Sequence, residues 1–406
     1  MTTSETRLPT DRPPLSERAL SQRVREVPPS GIRRFFDILA TMDDVISLGV
    51  GEPDFDTPPD IVEAGVASLL RGRTHYTSNY GTIELRRALS AHLDGRYGVH
   101  YDPATEILIT VGASEAVDLA LRATCDPGDE VIVHEPSYVA YVPAIAFAGG
   151  SAVRVATRFE DDFALDPAAV EAAVTPRTKA LFIGYPCNPT GAVLPDAVQD
   201  ELAAIAVRHD LLVYSDEIYD RLAYGSYHHR ALSSLPGMHG RTILIGGFSK
   251  AYAMTGWRVG YLCAPAEILE GIVKVHQYGI MSAPTIAQDA ALEALLHGEP
   301  DVQRMVAEYD RRRRLLVAGL NAMGLPTFEP RGAFYAFPEV TSTTGLTSDQ
   351  FTERLLLEER VAVVPGSAFG ASGEGHVRMC YATAYDQLEE ALGRIGRFVE
   401  RTRSGI

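Results

Sequence analysis

Short β-branched segments alternate with longer amphipathic segments through the middle of the chain. Between the strand-like segments lie helical patterns, such as 115–123 and 196–209. Alternation of this kind is typical of a mostly parallel sheet with helices on both faces, whose ligands bind beyond the carboxyl ends of the strands. The seven predicted strands are 107–111, 131–134, 152–156, 181–185, 211–215, 242–245 and 257–263.

The pattern changes after Pro300. A long helical segment runs to residue 323, and short strand-like segments then alternate with helices, which predicts a second, smaller α+β domain. The stretch up to about Pro29 is rich in Arg, Ser, Thr and Pro, so we assign it no fold. The predicted elements of the smaller domain are strands at 333–337, 361–364 and 377–381 and helices at 348–360 and from residue 386.

The charge balance disfavours nucleic acid as a partner. The 406 residues carry 37 basic and 53 acidic side chains, a net charge of −16, whereas phosphate neutralisation needs clustered Lys and Arg. The one basic run, residues 311–314, follows Glu308 and Asp310 in a helical pattern. We interpret this run as a solvated helix face.

No segment predicts a membrane span, a secretory signal or a metal site. No stretch approaches the ~20 apolar residues that cross a bilayer, and residues 1–14 are polar. The four cysteines, at 125, 187, 263 and 380, are widely spaced and form no C-x-x-C pair. These features predict a cytoplasmic protein.

Several catalytic motifs are absent or incomplete. Gly49-Val50-Gly51 lacks the third glycine of a dinucleotide fingerprint, and neither a Walker lysine motif nor H-E-x-x-H occurs, which argues against a nicotinamide-dependent dehydrogenase. Residues 112–116 and 247–251 approach the G-x-S-x-G nucleophile elbow. A serine hydrolase, which would need a histidine and an acid later in the chain, therefore stays an alternative.

A set of polar residues falls at the ends of three predicted strands. Asn188 follows the first strand in Y-P-C-N-P-T-G, Asp216 and Tyr219 close the second in S-D-E-I-Y, and Lys250 closes the third, with Arg258 eight residues further on. Strand ends of a parallel sheet share one crevice. This set of side chains suits a cationic aromatic ring that carries a phosphate.

The ordered motifs resemble those of the class I aminotransferases, the fold-type I family dependent on pyridoxal 5′-phosphate (PLP), and especially bacterial and archaeal aspartate and aromatic aminotransferases. The resemblance runs from Ser47 to Phe398. Its motifs are G-x-G-E-P-D-F at 49–55, Y-x-x-x-x-G-x-x-E-L-R at 76–86, N-P-T-G at 188–191, and then S-D-E-I-Y, S-K and W-R-x-G. The resemblance implies a flexible arm at 1–30, a large PLP-binding domain at 50–297 with a seven-stranded sheet, and a small α+β domain formed by 31–49 and 298–406.

The resemblance also implies a role for each residue at the cofactor. Lys250 would form the Schiff base and move a proton, and Asp216 would keep the pyridine nitrogen protonated. Asn188 and Tyr219 would hydrogen-bond the 3′-oxygen, with Tyr219 counted among the catalytic residues. The remaining cofactor contacts would be Ala113, Ser114, Ser249 and Arg258 at the phosphate, Tyr138 on the ring face, and Tyr76 at the phosphate of a neighbouring subunit in a homodimer.

Substrates of the family are amino acids and 2-oxo acids that react in a ping-pong cycle, usually with glutamate and 2-oxoglutarate as one couple. Arg378 would grip the α-carboxylate, with Gly51 and Asn188 assisting. In one branch a lysine reads the distal carboxylate of aspartate, but that place is Ser114 here. This difference argues against an aspartate preference, and aromatic, alanine-type or branched substrates stay open. Because discrimination by a hydrophobic pocket is worth only a few kcal/mol, we expect a broad specificity of aromatic, aspartate or alanine type.

Other activities share this fold. A β-lyase or a ring-forming synthase would keep Lys250, Asp216 and Arg258. A transcription regulator would carry an added DNA-binding domain, and the N-terminal stretch of ~30 residues is too short for one. We also expect the arm near 30–40 and the whole C-terminal domain to close over the substrate, as in relatives, and so to exclude water.

Overall fold

The computed structural model describes residues 14–29 and 42–404, and a seven-stranded sheet forms its centre. Strands β3 to β7 run parallel to one another, and β8 runs antiparallel to both of its neighbours, β2 and β7. The spatial order is β2-β8-β7-β6-β5-β3-β4, so the predicted mostly parallel sheet is confirmed. After the short β1 (Ile46–Ser47), the strands are β2 (Ile107–Thr110), β3 (Glu130–Glu135), β4 (Ser151–Ala156), β5 (Thr178–Gly184), β6 (Leu212–Asp216), β7 (Thr242–Gly247) and β8 (Gly260–Cys263).

The inner strands are apolar on both faces because helices cover both sides of the sheet. In β5, Leu181 and Ile183 point into one hydrophobic cluster, whereas Ala180 and Phe182 point into another. Successive side chains of a strand face opposite ways. A strand buried on both faces therefore reads as a continuous apolar run, which is the pattern found in the sequence.

The helices are α1 (Leu15–Ala19), α2 (Gln22–Glu26), α3 (Pro59–Leu70), α4 (Ile83–Tyr97), α5 (Gly112–Thr124), α6 (Tyr141–Ala148), α7 (Pro167–Ala173), α8 (Asp196–Arg208), α9 (Ala266–Gly279), α10 (Thr285–His297), α11 (Glu299–Ala322), α12 (Thr341–Thr344), α13 (Ser348–Glu359) and α14 (Tyr385–Arg403). α14 packs against α11 with an apolar stripe, of which Leu388, Ala391, Ile395 and Phe398 are buried. These positions lie three or four residues apart, so they share one helix face. Among the described residues, no helix is long and apolar enough to cross a membrane.

Two small sheets form in the C-terminal third. One is antiparallel, in the order β11-β12-β9, and the other pairs β1 with β10 in parallel. The second pairing attaches residues 46–47 to the C-terminal third. The boundaries of the two domains stay a prediction. The strands are β9 (Tyr335–Ala336), β10 (Val361–Ala362), β11 (Val364–Pro365) and β12 (Val377–Cys380).

Two predicted strands are clearly shorter in the structure, and a third is divided into two. The segment predicted at 257–263 begins its strand only at Gly260, because Arg258 has a φ of 53°. The segment at 333–337 keeps two strand residues, since Ala333 has a φ of 57°. Neither conformation belongs to an extended strand. The segment at 361–364 splits into two strands that pair with different partners.

The N-terminal stretch contains regular structure that the sequence did not predict. Residues 14–29 form α1 and α2, and Arg23 donates a hydrogen bond from Nη1 to the Phe147 carbonyl at 2.9 Å. Five-residue helices are not stable alone in water, so docking of this kind decides whether they form. The predicted flexibility of the arm is untested, and its predicted closure near 30–40 lies outside the described residues.

The basic run on α11 is only half solvated, so our interpretation of it was wrong for two residues. The side chains of Arg312 and Arg313 are 7% and 4% exposed, whereas that of Arg314 is 69% exposed. Arg312 Nη1 donates to both carboxylate oxygens of Asp54 at 2.8 and 2.9 Å. Both guanidinium groups bond an acidic residue on their own helix, Glu308 or Asp310, and also partners distant in sequence, which a helical charge pattern cannot show.

The run provides a matched test of buried and exposed ion pairs. Arg313 bonds Asp310, Glu329 (2.8 Å) and the Pro330 carbonyl (3.1 Å). We expect Arg313→Gln to lower the free energy of unfolding by about 2 kcal/mol, because it leaves the buried Pro330 carbonyl without its donor and removes the buried guanidinium group that pairs with Asp310. Arg314→Gln, on the same helix, should change it by less than about 0.5 kcal/mol. Urea unfolding measures both, and equal losses would contradict the interpretation.

Candidate active site

The carboxyl ends of β5, β6 and β7 and the N-terminus of α5 enclose a cavity of about 790 Å³. The structure brings eleven of the twelve predicted site residues to its wall. Tyr76 is the exception, since it is 81% exposed and lies outside this cavity. The predicted residues that line it are Gly51, Ala113, Ser114, Tyr138, Asn188, Asp216, Tyr219, Ser249, Lys250, Arg258 and Arg378.

Lys250 lies just beyond β7, where its amine projects into the cavity. Its Nζ donates to the Gly51 carbonyl at 2.6 Å and lies 5.8 Å from the centre of the Tyr219 ring and 5.6 Å from that of Phe334. Burial lowers the pKa of Lys250 to about 8, because the charged form loses its hydration. An amine with this pKa is partly neutral near physiological pH, which nucleophilic attack requires.

Asp216 ends β6 and is 6% exposed. Oδ2 accepts a hydrogen bond from the Tyr141 hydroxyl at 2.7 Å, and Oδ1 accepts one from the Ile218 amide at 3.2 Å. Burial raises the pKa of Asp216 even so, because desolvation outweighs these two bonds. A buried carboxyl group of this kind suits a cationic ring nitrogen as its partner.

The start of α5 and the segment before β8 approach each other closely enough to form an anion site. A Cβ on Gly112, whose φ is 76°, would lie 2.7 Å from Arg258 Nη2, and one on Gly260 would lie 2.6 Å from the Ala113 amide nitrogen. The glycines thus let the guanidinium group reach the helix N-terminus. Together with the Ser114 and Ser249 hydroxyls, this arrangement suits a phosphate.

Arg378 lies on β12 and is held from two sides. Nη1 donates to Asn188 Oδ1 at 2.9 Å, and Nη2 donates to the Gly49 carbonyl at 2.6 Å. The guanidinium carbon lies 4.6 Å from the Tyr335 ring centre and 5.0 Å from that of Phe369. Its buried Nε has no partner among the described residues. A held guanidinium with an unused donor suits a carboxylate.

Sequence reasoning missed two tyrosines of this site. Tyr141 lies three residues after Tyr138, at the start of α6, and reaches Asp216. Tyr335 lies within a predicted strand, and its hydroxyl lies 2.8 Å from that of Tyr219. The available signals were weak, since an aromatic residue three positions after Tyr138 or inside a strand is more often core packing.

The site does not support the hydrolase alternative. Among the described residues that line the cavity there is no histidine, so Ser114 has no general base there. Cys187 is buried, and desolvation raises its pKa to about 11, so this cysteine is a thiol rather than a nucleophilic thiolate. The part of the chain that the structure describes contains no group of His, Cys, Asp or Glu suited to a metal ion.

Comparison with known proteins identifies the family. Residues 43–395 match the model of aminotransferase class I and II. The chain therefore belongs to the class I and II aminotransferases, a PLP-dependent family of enzymes that act on amino acids. The predicted family and enzyme class are confirmed.

Individual relatives match over nearly the whole chain. A putative aminotransferase of Bacillus subtilis, YugH, is 50% identical over 94% of this chain and 99% of its own, and an aspartate aminotransferase of Pyrococcus abyssi is 48% identical over 95% and 99%. The structure of an aromatic aminotransferase from Pyrococcus horikoshii superposes with a TM-score of 0.87 at 48% identity, over 90% of this chain and 99% of that one. The Thermus thermophilus aspartate aminotransferase with maleate gives 0.89 at 42% identity, over 93% and 99%. The predicted fold class is confirmed.

The lowered pKa of Lys250 can be tested without cofactor. We expect acylation of the apoprotein at Lys250 to rise with pH to a midpoint near 8, because the neutral amine reacts and burial favours that form. Mass spectrometry of the digest measures the modification at each pH, with Lys179 and Lys274 followed as references. A midpoint above pH 10 at Lys250 would contradict desolvation as the cause.

Proposed function

We propose that this aminotransferase moves the amino group of an L-amino acid to a 2-oxo acid in a ping-pong cycle, with PLP held in the cavity and glutamate and 2-oxoglutarate as one couple. The observation that carries the proposal is the Lys250 amine, which has a lowered pKa and shares one cavity with Asp216 and Arg378. These groups supply an attachment point, a partner for a ring nitrogen and a grip for a carboxylate.

The residues present fit PLP. The α5 N-terminus, Arg258 and two serine hydroxyls match a dianionic phosphate, and the Asp216 carboxyl group matches a protonated pyridine nitrogen. Tyr219 and the Asn188 amide can donate to the ring oxygen, and Tyr138 supplies an aromatic face. When bound, the cofactor supplies an electron-accepting ring for the charge that develops at the substrate Cα.

Lys250 carries the acid–base chemistry in this proposal. The substrate amine would displace the Lys250 amine, which would then be free to accept the proton from the substrate Cα and to return it to C4′, the cofactor carbon on the other side of the shared nitrogen. A low pKa keeps the amine neutral and able to accept that proton. Asp216 stays ionised against the ring nitrogen, since a cationic partner offsets the desolvation that raises its pKa.

Arg378 fixes the substrate for that proton transfer. Its guanidinium group is held by Asn188 and by the Gly49 carbonyl, so the remaining donors point in a fixed direction. A two-point contact with the α-carboxylate, assisted by the Gly51 amide, orients the Cα–H bond. Every substrate of the enzyme carries this carboxylate, so the grip is independent of the side chain.

We propose that uncharged, and above all aromatic, side chains are preferred among a broad set of donors. The described cavity wall has three cations, Lys250, Arg258 and Arg378. Each has a task at the cofactor or the α-carboxylate, and Ser114 takes the place of the distal-carboxylate lysine. Relatives of this chain include both aspartate and aromatic aminotransferases, so the wall residues rather than the family support the choice.

We further propose a homodimer with shared sites. Tyr76 is 81% exposed and Tyr278 is 88% exposed. Their segments are joined, since the Thr285 hydroxyl donates to the His75 carbonyl at 2.7 Å. Ile280 and Met281, 48% and 44% exposed, extend the apolar surface. A surface of this kind suits a partner subunit, and Tyr76 would reach the cofactor phosphate in the site of that subunit.

The state of the cysteines supports a cytoplasmic location. All four are free and buried, as is usual for proteins of a reducing compartment.

Absorbance spectroscopy tests the reaction. We expect PLP to give the purified protein a visible band that moves towards the ultraviolet when glutamate is added, with release of 2-oxoglutarate. Lys250→Ala should lose the exchange by at least about 10³-fold, because no other lysine lines the described cavity. A visible band without keto-acid release, but with release of pyruvate from a substrate that bears a leaving group, would instead show a β-lyase.

A donor panel tests the substrate preference. We expect kcat/KM for L-phenylalanine to exceed that for L-aspartate by at least about tenfold, because an unpaired distal carboxylate costs several kcal/mol to bury. Alanine, which shares the α-carboxylate and lacks the side chain, is the matched control. Equal or better use of aspartate would contradict the preference while leaving the transamination proposal in place.

A further inference from the structure

Tyr335 lies between two residues to which we assign different tasks. It is fully buried on β9, and its hydroxyl lies 2.8 Å from the Tyr219 hydroxyl. The face of its ring lies 4.6 Å from the Arg378 guanidinium carbon. A Cβ on Gly51 would lie 2.4 Å from the Tyr335 hydroxyl, so a larger residue at position 51 would displace it. The position of this hydroxyl is therefore fixed by its surroundings.

Each of the two phenols has one proton to donate. If Tyr219 donated to Tyr335, its proton would be used within the pair and would not reach the cavity. If Tyr335 donates, the Tyr219 proton is free for an acceptor in the cavity. Tyr219 is the one hydrogen-bond partner that the described chain gives the hydroxyl of the buried Tyr335. An anionic oxygen beside Tyr219 therefore favours the second arrangement.

We infer that Tyr335 is a positioning residue whose hydroxyl donates to Tyr219 and so directs the Tyr219 proton to the ring oxygen of the cofactor. The inference rests on the proposed function, because it assigns Tyr219 an anionic acceptor. In a chain of two hydrogen bonds each bond strengthens the other. Tyr335 thereby adjusts how strongly Tyr219 stabilises the negative charge on that oxygen.

Four charged or titratable groups lie around Tyr335, and each could in principle transmit a change at Tyr335 to the cofactor. They are Arg378, Cys380, Tyr219 and Tyr138 in the described chain. Tyr335→Phe keeps the ring beneath Arg378 and removes only the hydroxyl. A change in the properties of the cofactor on this substitution therefore reports the hydrogen bond to Tyr219, and the contact with Arg378 is retained.

The experiment is a pH titration of the visible absorbance of the holoenzyme without substrate. A ring oxygen that is less stabilised by Tyr219 holds the neighbouring proton more tightly, so the pKa of the nitrogen that joins Lys250 to the cofactor rises. We expect Tyr335→Phe to raise that pKa by about 0.5 to 1. Tyr219→Phe should raise it further, and the double variant should match Tyr219→Phe alone, because Tyr335 acts through Tyr219.

Tyr381→Phe is the matched control. Tyr381 is equally buried, and its hydroxyl donates to the Ala333 carbonyl at 3.3 Å, away from the cavity wall. This variant should titrate as the unaltered enzyme does. Additive effects of Tyr335→Phe and Tyr219→Phe, or a Tyr335→Phe curve that coincides with that of the unaltered enzyme, would overturn the inference. Absence of any visible band in the unaltered protein would overturn the proposed function instead.

Discussion

The burial of a carboxyl group at the end of a central strand sets the requirements for the rest of the site. Asp216 ends β6 in the middle of the sheet, and the loss of hydration there raises its pKa. Two hydrogen bonds, from Tyr141 and from the Ile218 amide, offset part of that cost. The strand register makes the first of them possible, since Asp216 lies opposite Gly184, where a Cβ would come within 2.5 Å of the Tyr141 hydroxyl.

As at Gly184, glycines at the anion site permit close contacts that a side chain would prevent. Gly112 and Gly260 let Arg258 and the start of α5 approach each other. Arg258 adopts a φ of 53°, a conformation that costs a non-glycine residue of order 1 kcal/mol or more. The backbone is thus strained at the residue that supplies positive charge to the site, and β8 begins only after it, at Gly260.

The sheet and most of the cavity wall could be predicted from the sequence because both follow from local patterns. Strand ends of a parallel sheet share one edge, so the strand pattern alone places Asn188, Asp216 and Lys250 together. Tyr141 and Tyr335 were missed because their roles depend on which side chain each hydroxyl reaches. The burial of Arg312 and Arg313 was missed for a related reason. Asp54, the partner of Arg312, is far away in the sequence, and Glu329, a partner of Arg313, lies beyond the end of the helix. Long-range partners leave no periodic signal.

The cavity holds several charged groups that the protein does not pair with one another. Burial lowers the pKa of Lys250 and raises that of Asp216, and the Nε of Arg378 lacks a partner among the described residues. Each of these features opposes folding when the site is considered alone. A cofactor with a phosphate and a cationic nitrogen, together with a substrate that bears a carboxylate, would supply partners for these groups. Because such ligands bind the folded state and not the unfolded one, their binding stabilises the fold. The unfavourable electrostatics of the isolated chain and its affinity for such a ligand therefore have the same physical origin.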